Sequence, residues 1–393
     1  MSDSATSKKE LQRVAHAARI VWFLGPRPVS WNGVMRYSLK CIDFIPAMAE
    51  FDVEPVDIPA APRSFRRYWT QFVLYPLRAV AAARAGHFVM LYQEDLAFMI
   101  PLVRWAGGRV GIVLHHVPHP EQVRGVVEKL KNAYMRLTQS LIATADVVLV
   151  PSDMTAQEAR ADLHIRADRI QVVGSAVDDS YTPIDAAVRE RARAMLLARF
   201  GIHVDAALVV LNVGSDETRK NNATLFRALA SLGRKDVMVL RVGSAQNQAN
   251  RDECRDIAAP AGIAVHFAEN VGDEDLGYFF QASDLYVSPT LHEGFGRTVL
   301  EAQLVGLPVV ASDLPVYRYT MGESFVAVAD AMDAAEWGRQ IERVAGDPSL
   351  RAELVSAGRA NAQRFSSRAV SAQLHDALDR AVLERPRAGR AEA

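Results

Sequence analysis

Short apolar runs rich in β-branched residues recur along this chain, and longer stretches with helical periodicity separate them. The first set predicts strands over Ile20–Leu24, Val53–Ile58, Phe88–Tyr92, Val110–Leu114 and Val147–Val150. A second set predicts strands over Leu208–Val213, Val237–Val242, Ala264–Phe267, Leu285–Ser288 and Val309–Ala311. Strand-length runs alternating with helical patterns imply parallel sheets joined by crossover helices. Two such sets imply two doubly wound α/β domains. The break falls in the polar segment Val173-Gly174-Ser175-Ala176-Val177-Asp178-Asp179-Ser180-Tyr181-Thr182-Pro183, ahead of a fresh helix rich in Arg and Ala. The expected organisation is a first domain over 1–175, a second over 176–365 and a final piece over 366–393. That last piece holds an amphipathic helix over Ser366–Leu383 and a tail from Glu384 expected to fray. The two halves share an architecture without a detectable internal repeat.

Composition narrows the function classes. The chain has 393 residues, half of them apolar, enough for two sizeable cores. Its 45 basic and 46 acidic side chains nearly cancel, so no global field argues for a nucleic-acid partner. Cys41 and Cys254 are far apart and form no CxxC pair. That excludes a disulfide framework, argues against a zinc site and fits a reducing cytosol. Met1–Arg19 is polar and lacks an apolar core, so no signal peptide is expected. The longest apolar runs, such as Ile20–Leu24, are of strand length, so any membrane contact is expected to be peripheral.

The densest chemistry lies in His292-Glu293-Gly294-Phe295-Gly296-Arg297-Thr298-Val299-Leu300-Glu301-Ala302. Glu293 and Glu301 stand eight positions apart, about 12 Å of rise if the whole stretch were helical. One carboxylate at the mouth of a helix and another inside it can grip two separated parts of an elongated ligand. Gly294 and Gly296 let backbone N–H groups approach closely, and the helix N-terminus favours an anionic or hydroxyl-rich group. Next, Leu304-Val305-Gly306-Leu307-Pro308-Val309-Val310-Ala311-Ser312-Asp313 reads as a helix ending at Gly306, a buried strand and a loop at its carboxyl end. Upstream, Val213-Gly214-Ser215-Asp216-Glu217-Thr218-Arg219-Lys220-Asn221-Asn222 follows a strand and opens a helix. Two adjacent cations at a helix start oppose the dipole, yet suit a diphosphate held there.

The run from His292 to Asp313 resembles the donor-binding signature of glycosyltransferase family 4, two glutamates flanking seven residues with a Gly-Phe-Gly loop. The resemblance implies a GT-B fold: two facing Rossmann-like doubly wound domains with an interdomain cleft, the last helix crossing back to the first domain. It implies a metal-independent enzyme with no permanently bound cofactor, whose donor is a nucleotide-diphosphate sugar. Lys220 matches the family lysine that stabilises the leaving diphosphate. Many members carry the partner arginine directly after the strand glycine, where this chain has Ser215, so Arg219 would serve from a neighbouring position. Glu293 and the backbone of Gly294, Phe295, Gly296 and Arg297 would hold sugar hydroxyls, and Glu301 the ribose diol. Arg297 stands where many members carry leucine; altered sugar or acceptor preference and simple exposure to solvent both remain open.

Two first-domain features complete the resemblance, and a third is read from its residues alone. Val110-Gly111-Ile112-Val113-Leu114-His115-His116 ends a strand in histidine, and His115 takes the family position that contacts the donor sugar. His116 and His119 have no inherited role, and the His115…His119 spacing lacks an acid partner for zinc. Gly25–Tyr37 resembles the family glycine loop facing the diphosphate and acceptor, but Asn32 replaces one glycine and leaves Gly33. The run Arg63–Arg78 is basic and aromatic, and with Lys129–Leu137 it leaves two readings open: helices packed on the sheet, or contact with an anionic membrane face. Asp273-Glu274-Asp275 has the Asp-x-Asp form of metal-dependent transferases, but it opens a helix, where capping and dipole compensation account for it.

The resemblance thus implies a retaining hexosyltransferase in surface-polysaccharide synthesis, cytoplasmic or on the inner membrane face. Its donor would be GDP-mannose first and a UDP-sugar next, its acceptor a glycan or lipid-linked oligosaccharide. A nucleotide-sugar epimerase or hydrolase on the same scaffold, or a non-catalytic partner subunit, are the rival readings. A dehydrogenase is disfavoured because no GxGxxG follows the first strand.

Overall fold

The computed structural model describes residues 17–26, 33–58, 64–115, 117, 134, 136–177 and 181–384. The chain divides into two compact units, Met1–Ser175 with Val370–Ala393, and Ala176–Ala369. Each is built on a six-stranded parallel sheet.

In the first unit the strands are β1 (Ala18–Pro26), β2 (Phe51–Ile58), β3 (Phe88–Leu91), β4 (Val110–Val113), β5 (Val147–Val150) and β6 (Ile170–Val172). Their order is β2-β1-β3-β4-β5-β6. β3, β4 and β5 are buried at every position, which is why they read as unbroken apolar runs. The chain leaves β1 to one side and returns to the other at β3, so a switch point lies between these strands. The final helix, Ser367–Leu378, straddles the second division of the chain. Within the first unit, Gln373 accepts the Gly174 N–H at 2.8 Å, and the His375 ring stands edge-on to Phe51 with centroids 6.0 Å apart.

The second unit holds β7 (Leu208–Val213), β8 (Val237–Val242), β9 (Ala264–Ala268), β10 (Leu285–Ser288), β11 (Val309–Ser312) and β12 (Val326–Val328). The order β12-β11-β10-β7-β8-β9 places its switch point between β7 and β10. Its core joins Val210 and Leu285 on the sheet to Phe226, Leu229, Trp337 and Ile341 on the covering helices. The helix that opens this unit, Ala186–Phe200, starts where the Asp185 side chain accepts the Val188 N–H at 2.7 Å. It stops at Gly201, whose φ of 67° is the left-handed conformation that glycine adopts freely.

The edge strands β6 and β12 escaped the hydrophobic pattern because each has only three residues. No helix among the described residues is long and apolar enough to cross a membrane.

Candidate functional site

The second unit gathers its sequence candidates at the switch point. The loop after β7 carries Arg219 and Lys220, and the loop after β10 carries Glu293. Both leave the carboxyl ends of adjacent strands, where open α/β sheets hold ligands.

A buried ionic cluster shapes the first loop. Arg241, next to the last residue of β8, is 1% exposed and donates to Gly214 O at 2.6 Å, Ser215 O at 2.8 Å and Asp216 Oδ1 at 2.9 Å. Arg251 Nε donates to the other Asp216 oxygen at 2.6 Å, and its Nη1 pairs with Glu269. Burial pulls the Arg241 pKa down, and Asp216 beside it works in the opposite direction. Two guanidinium groups on one sealed carboxylate thus hold the backbone of Gly214–Asp216. Gly243, at the end of β8, has φ 150°, and a Cβ there would lie 1.6 Å from Gly214 O, so the two loops touch without side chains between them.

The first loop then makes a single 3-10 turn, Thr218–Lys220, before the helix Asn222–Ser231. The two cations therefore sit just ahead of that helix rather than in its first turn. Asn221, with φ 51°, makes the corner and donates to Pro289 O at 3.1 Å and Ala331 O at 2.7 Å. Leu291 N donates to Arg219 O at 2.8 Å, which lays the second loop on the first. As a result Lys220 Nζ lies 2.5 Å from Glu293 Oε2, and Arg219 Nη1 lies 4.0 Å from the same oxygen. Arg219 also pairs with Glu217 at 2.7 Å and donates to His292 O at 3.2 Å. Burial pushes the Glu293 carboxyl up, but Lys220 and then Arg219 outweigh it and hold the group below the usual carboxylate range. Glu293 is therefore ionised at neutral pH.

Beyond Glu293 the chain turns through Gly294, Phe295 and Gly296. Phe295 is buried edge-on against Phe365, centroids 5.4 Å apart. Gly296 has φ 83°, and a Cβ there would lie 2.5 Å from the Tyr317 ring, so only glycine fits. Tyr317 is itself fixed by a 2.7 Å hydrogen bond with Ser288 at the end of β10. The helix Arg297–Val305 follows and stops at Gly306, φ 91°. Glu301 is 1% exposed on this helix, and Arg297 reaches one turn along to it, with Nε and Nη2 both 2.9 Å from Oε1. The solvent-pointing reading of Arg297 is thereby corrected: a buried carboxylate draws the guanidinium inward.

In the first unit, His115 is half-buried just past β4, its Nε2 3.2 Å from Tyr92 O and its ring edge-on to Tyr37 at 5.2 Å. Gly33 is the first residue of the helix Gly33–Phe44. The rest of its expected loop, residues 27–32, lies outside the described residues, as do His116, His119 and 129–133.

Sequence reading missed a polar cluster after β3. The Asp95 carboxylate accepts from Gln71 Nε2 at 3.4 Å, and Tyr134 donates to Asp95 O at 3.0 Å. Burial pushes the Asp95 carboxyl up to about 7 and raises Glu94 as well. Glu94 Oε2, Asp95 Oδ1 and Arg67 Nε are buried without a hydrogen-bond partner among the described residues. The available signal was two acids placed directly after a buried strand. Asp275 of the Asp-x-Asp segment pairs with Arg199, and the segment opens the helix Asp273–Ala282. Among the described residues no group of three His, Cys, Asp or Glu side chains could hold a metal ion.

Residues 201–361 match the family model described as Glycosyl transferases group 1, and residues 41–181 that of Glycosyltransferase Family 4. A D-inositol 3-phosphate glycosyltransferase of Corynebacterium aurimucosum is 30% identical over 306 residues, covering 69% of this chain and 69% of the relative. The chain belongs to glycosyltransferase family 4. Another family 4 relative, the D-inositol 3-phosphate glycosyltransferase of Salinispora arenicola, is 29% identical over 74% of this chain and 68% of its own. Among solved structures, Anabaena HepE in complex with UDP and glucose matches with a TM-score of 0.71 at 18% identity, over 93% of this chain and all of its own. Sucrose-phosphate synthase of Thermosynechococcus elongatus matches with a TM-score of 0.72 at 19% identity, over 92% and 98%. These likenesses establish the GT-B fold of this family 4 glycosyltransferase.

Proposed function

We propose that this chain moves a hexosyl group from a nucleotide-diphosphate sugar to a hydroxyl of a glycan or lipid-linked acceptor, with retention of anomeric configuration. The observation that carries this reading is the focus of Lys220 and Arg219 on Glu293 at the β7/β10 switch point. The two cations suit a departing diphosphate, and the ionised Glu293 beside them suits hydroxyl groups of the transferred sugar. Glu301, one turn into the helix, is assigned to the ribose diol. Ribose binding then shares the Glu301 carboxylate with Arg297 or displaces it. In this reading the bond from the anomeric carbon to the phosphate oxygen breaks while the bond to the acceptor oxygen forms. The acceptor proton passes to the departing diphosphate. Positioning and fixed charge supply the rate, with no metal in the cycle. His115 is assigned to the donor sugar on the resemblance alone.

UDP-sugars lead as donors because the HepE neighbour was solved with UDP-glucose, and GDP-mannose follows as the first sequence-level expectation. A role in surface-polysaccharide synthesis belongs to the same reading. Release of nucleoside diphosphate from each nucleotide sugar, with a chelator present, tests it. Release that requires an acceptor hydroxyl supports the transferase. Equal release without acceptor makes the chain a hydrolase, and none from any donor removes the transferase reading.

A further inference from the structure

The connection from β2 to β3 is a long helical segment that keeps large apolar residues on its outer face. It runs as an α-helix over Phe65–Trp69, a π-turn over Thr70–Leu74 and an α-helix over Tyr75–Arg84. The π-turn accommodates Pro76, which lacks an N–H, and Tyr75 N bonds back to Thr70 O. Tyr75 points inward, and its hydroxyl donates to Leu24 O at 2.7 Å and Val56 O at 2.9 Å. The opposite face carries exposed side chains. Phe65 is 80% exposed, Leu77 65% and Trp69 50%, and Tyr68 and Phe72 are exposed too. The rings line up along the helix, Phe65 stacked on Trp69 at 6.3 Å and Tyr68 on Phe72 at 6.4 Å. A contiguous apolar face of this kind marks an interaction surface.

Charge identifies the partner. Arg66 is exposed on the first turn, and Arg67 lies over the Tyr68 ring at 5.9 Å. Farther along, Arg78 pairs with Glu54, and Arg84 lies 5.6 Å from the ring of exposed Trp105. No acidic residue occurs between Ser64 and Gln93, in a chain whose charges otherwise balance. Aromatic side chains among charges of one sign suit a surface of uniform opposite charge with an apolar layer beneath it, which is an anionic bilayer. The helix leaves the carboxyl end of β2, so its first turns stand at the ligand-holding end of the sheet. There Gln71 meets Asp95, and Phe72 meets Phe98 at 5.2 Å.

We propose that the Phe65–Leu77 face docks in the plane of an anionic lipid bilayer, with its aromatic rings in the interface and Arg66 against headgroup phosphates. The surface then presents the first unit's substrate end to lipid-borne molecules. The test is co-sedimentation of the full chain with vesicles of phosphatidylcholine, with and without phosphatidylglycerol, and with no donor or acceptor present. Its failure therefore leaves the transferase reading standing, and the reverse holds equally.

Binding is expected to the anionic vesicles and to weaken with added salt. The double variant F65S/W69S should lower it at least about tenfold with an unchanged thermal midpoint, because both side chains are already exposed. Arg66→Gln should lower it about fivefold. Equal binding to neutral vesicles, no sedimentation with anionic ones, or variants that bind like the unaltered chain would overturn the proposal. So would self-association that the double variant abolishes while vesicle binding is absent, since a second copy of the chain would then cover the face.

Discussion

Lys220 is the residue on which the electrostatics of the second unit converge. Its ammonium lies 2.5 Å from the Glu293 carboxylate and leans on Gly214. Lys220→Ala should lower kcat at least about a hundredfold, the scale for losing one preorganised charge at a leaving group, while circular dichroism stays unchanged. Near-normal turnover would remove Lys220 from the mechanism. Glu301→Ala should act on binding instead, weakening nucleoside diphosphate affinity about tenfold or more, as expected for one charge-assisted hydrogen bond. Unchanged affinity in a calorimetric titration would contradict the ribose assignment. Asp95 gives a pH signature. Its carboxyl is raised from the ordinary 3.8 to about 7, so between those values the folded chain keeps a proton that the unfolded chain has released. Stability from this group therefore falls as pH rises through that window. Asp95→Asn, always neutral, should gain in thermal midpoint relative to the unaltered chain between about pH 5 and about pH 8, and a constant difference would contradict the raised value. Residues inside the dense motif, Glu293 to Glu301, were legible because spacing and glycines constrain each other there. The turn of Arg297 onto Glu301 was not, because it depends on how deeply Glu301 is buried.

At the scale of elements, the loop that carries Lys220 is held from beneath by Arg241 and Arg251 on Asp216. Removing the shared carboxylate leaves two buried guanidinium groups short of a partner. Asp216→Ala should cost about 3–5 kcal/mol and lower the midpoint of the second unit by roughly 10 °C. A shift within experimental scatter would show that the cluster contributes nothing to holding the loop. A lone arginine inside the apolar run of β8 was the one sequence trace of this network. The central strands were plain in the sequence because burial on both faces makes them continuously apolar. β6 and β12 were hidden by their length, and the π-turn by its dependence on Pro76 and on the inward pull of Tyr75.

At the scale of the whole molecule, two six-stranded parallel sheets, the helices that connect their strands and a final helix counted mostly with the first unit make up most of the described chain. The alternation of apolar runs and helical patterns announced both sheets, since each crossover helix must cover a sheet face. Strand order was not legible, because the hydrophobic pattern shows which face is buried but not which strand lies beside which. Only the order places the loops of Lys220 and Glu293 at one switch point, and on that placement the donor assignment rests. The most direct measurement is the thermal midpoint of the full chain with UDP, GDP and their sugars, without added metal. A ligand that binds the folded state at a hundred times its Kd stabilises it by about 2.7 kcal/mol. A nucleoside diphosphate should raise the midpoint, and Glu301→Ala should diminish that rise. A folded sample whose midpoint moves with none of these ligands would contradict the donor assignment.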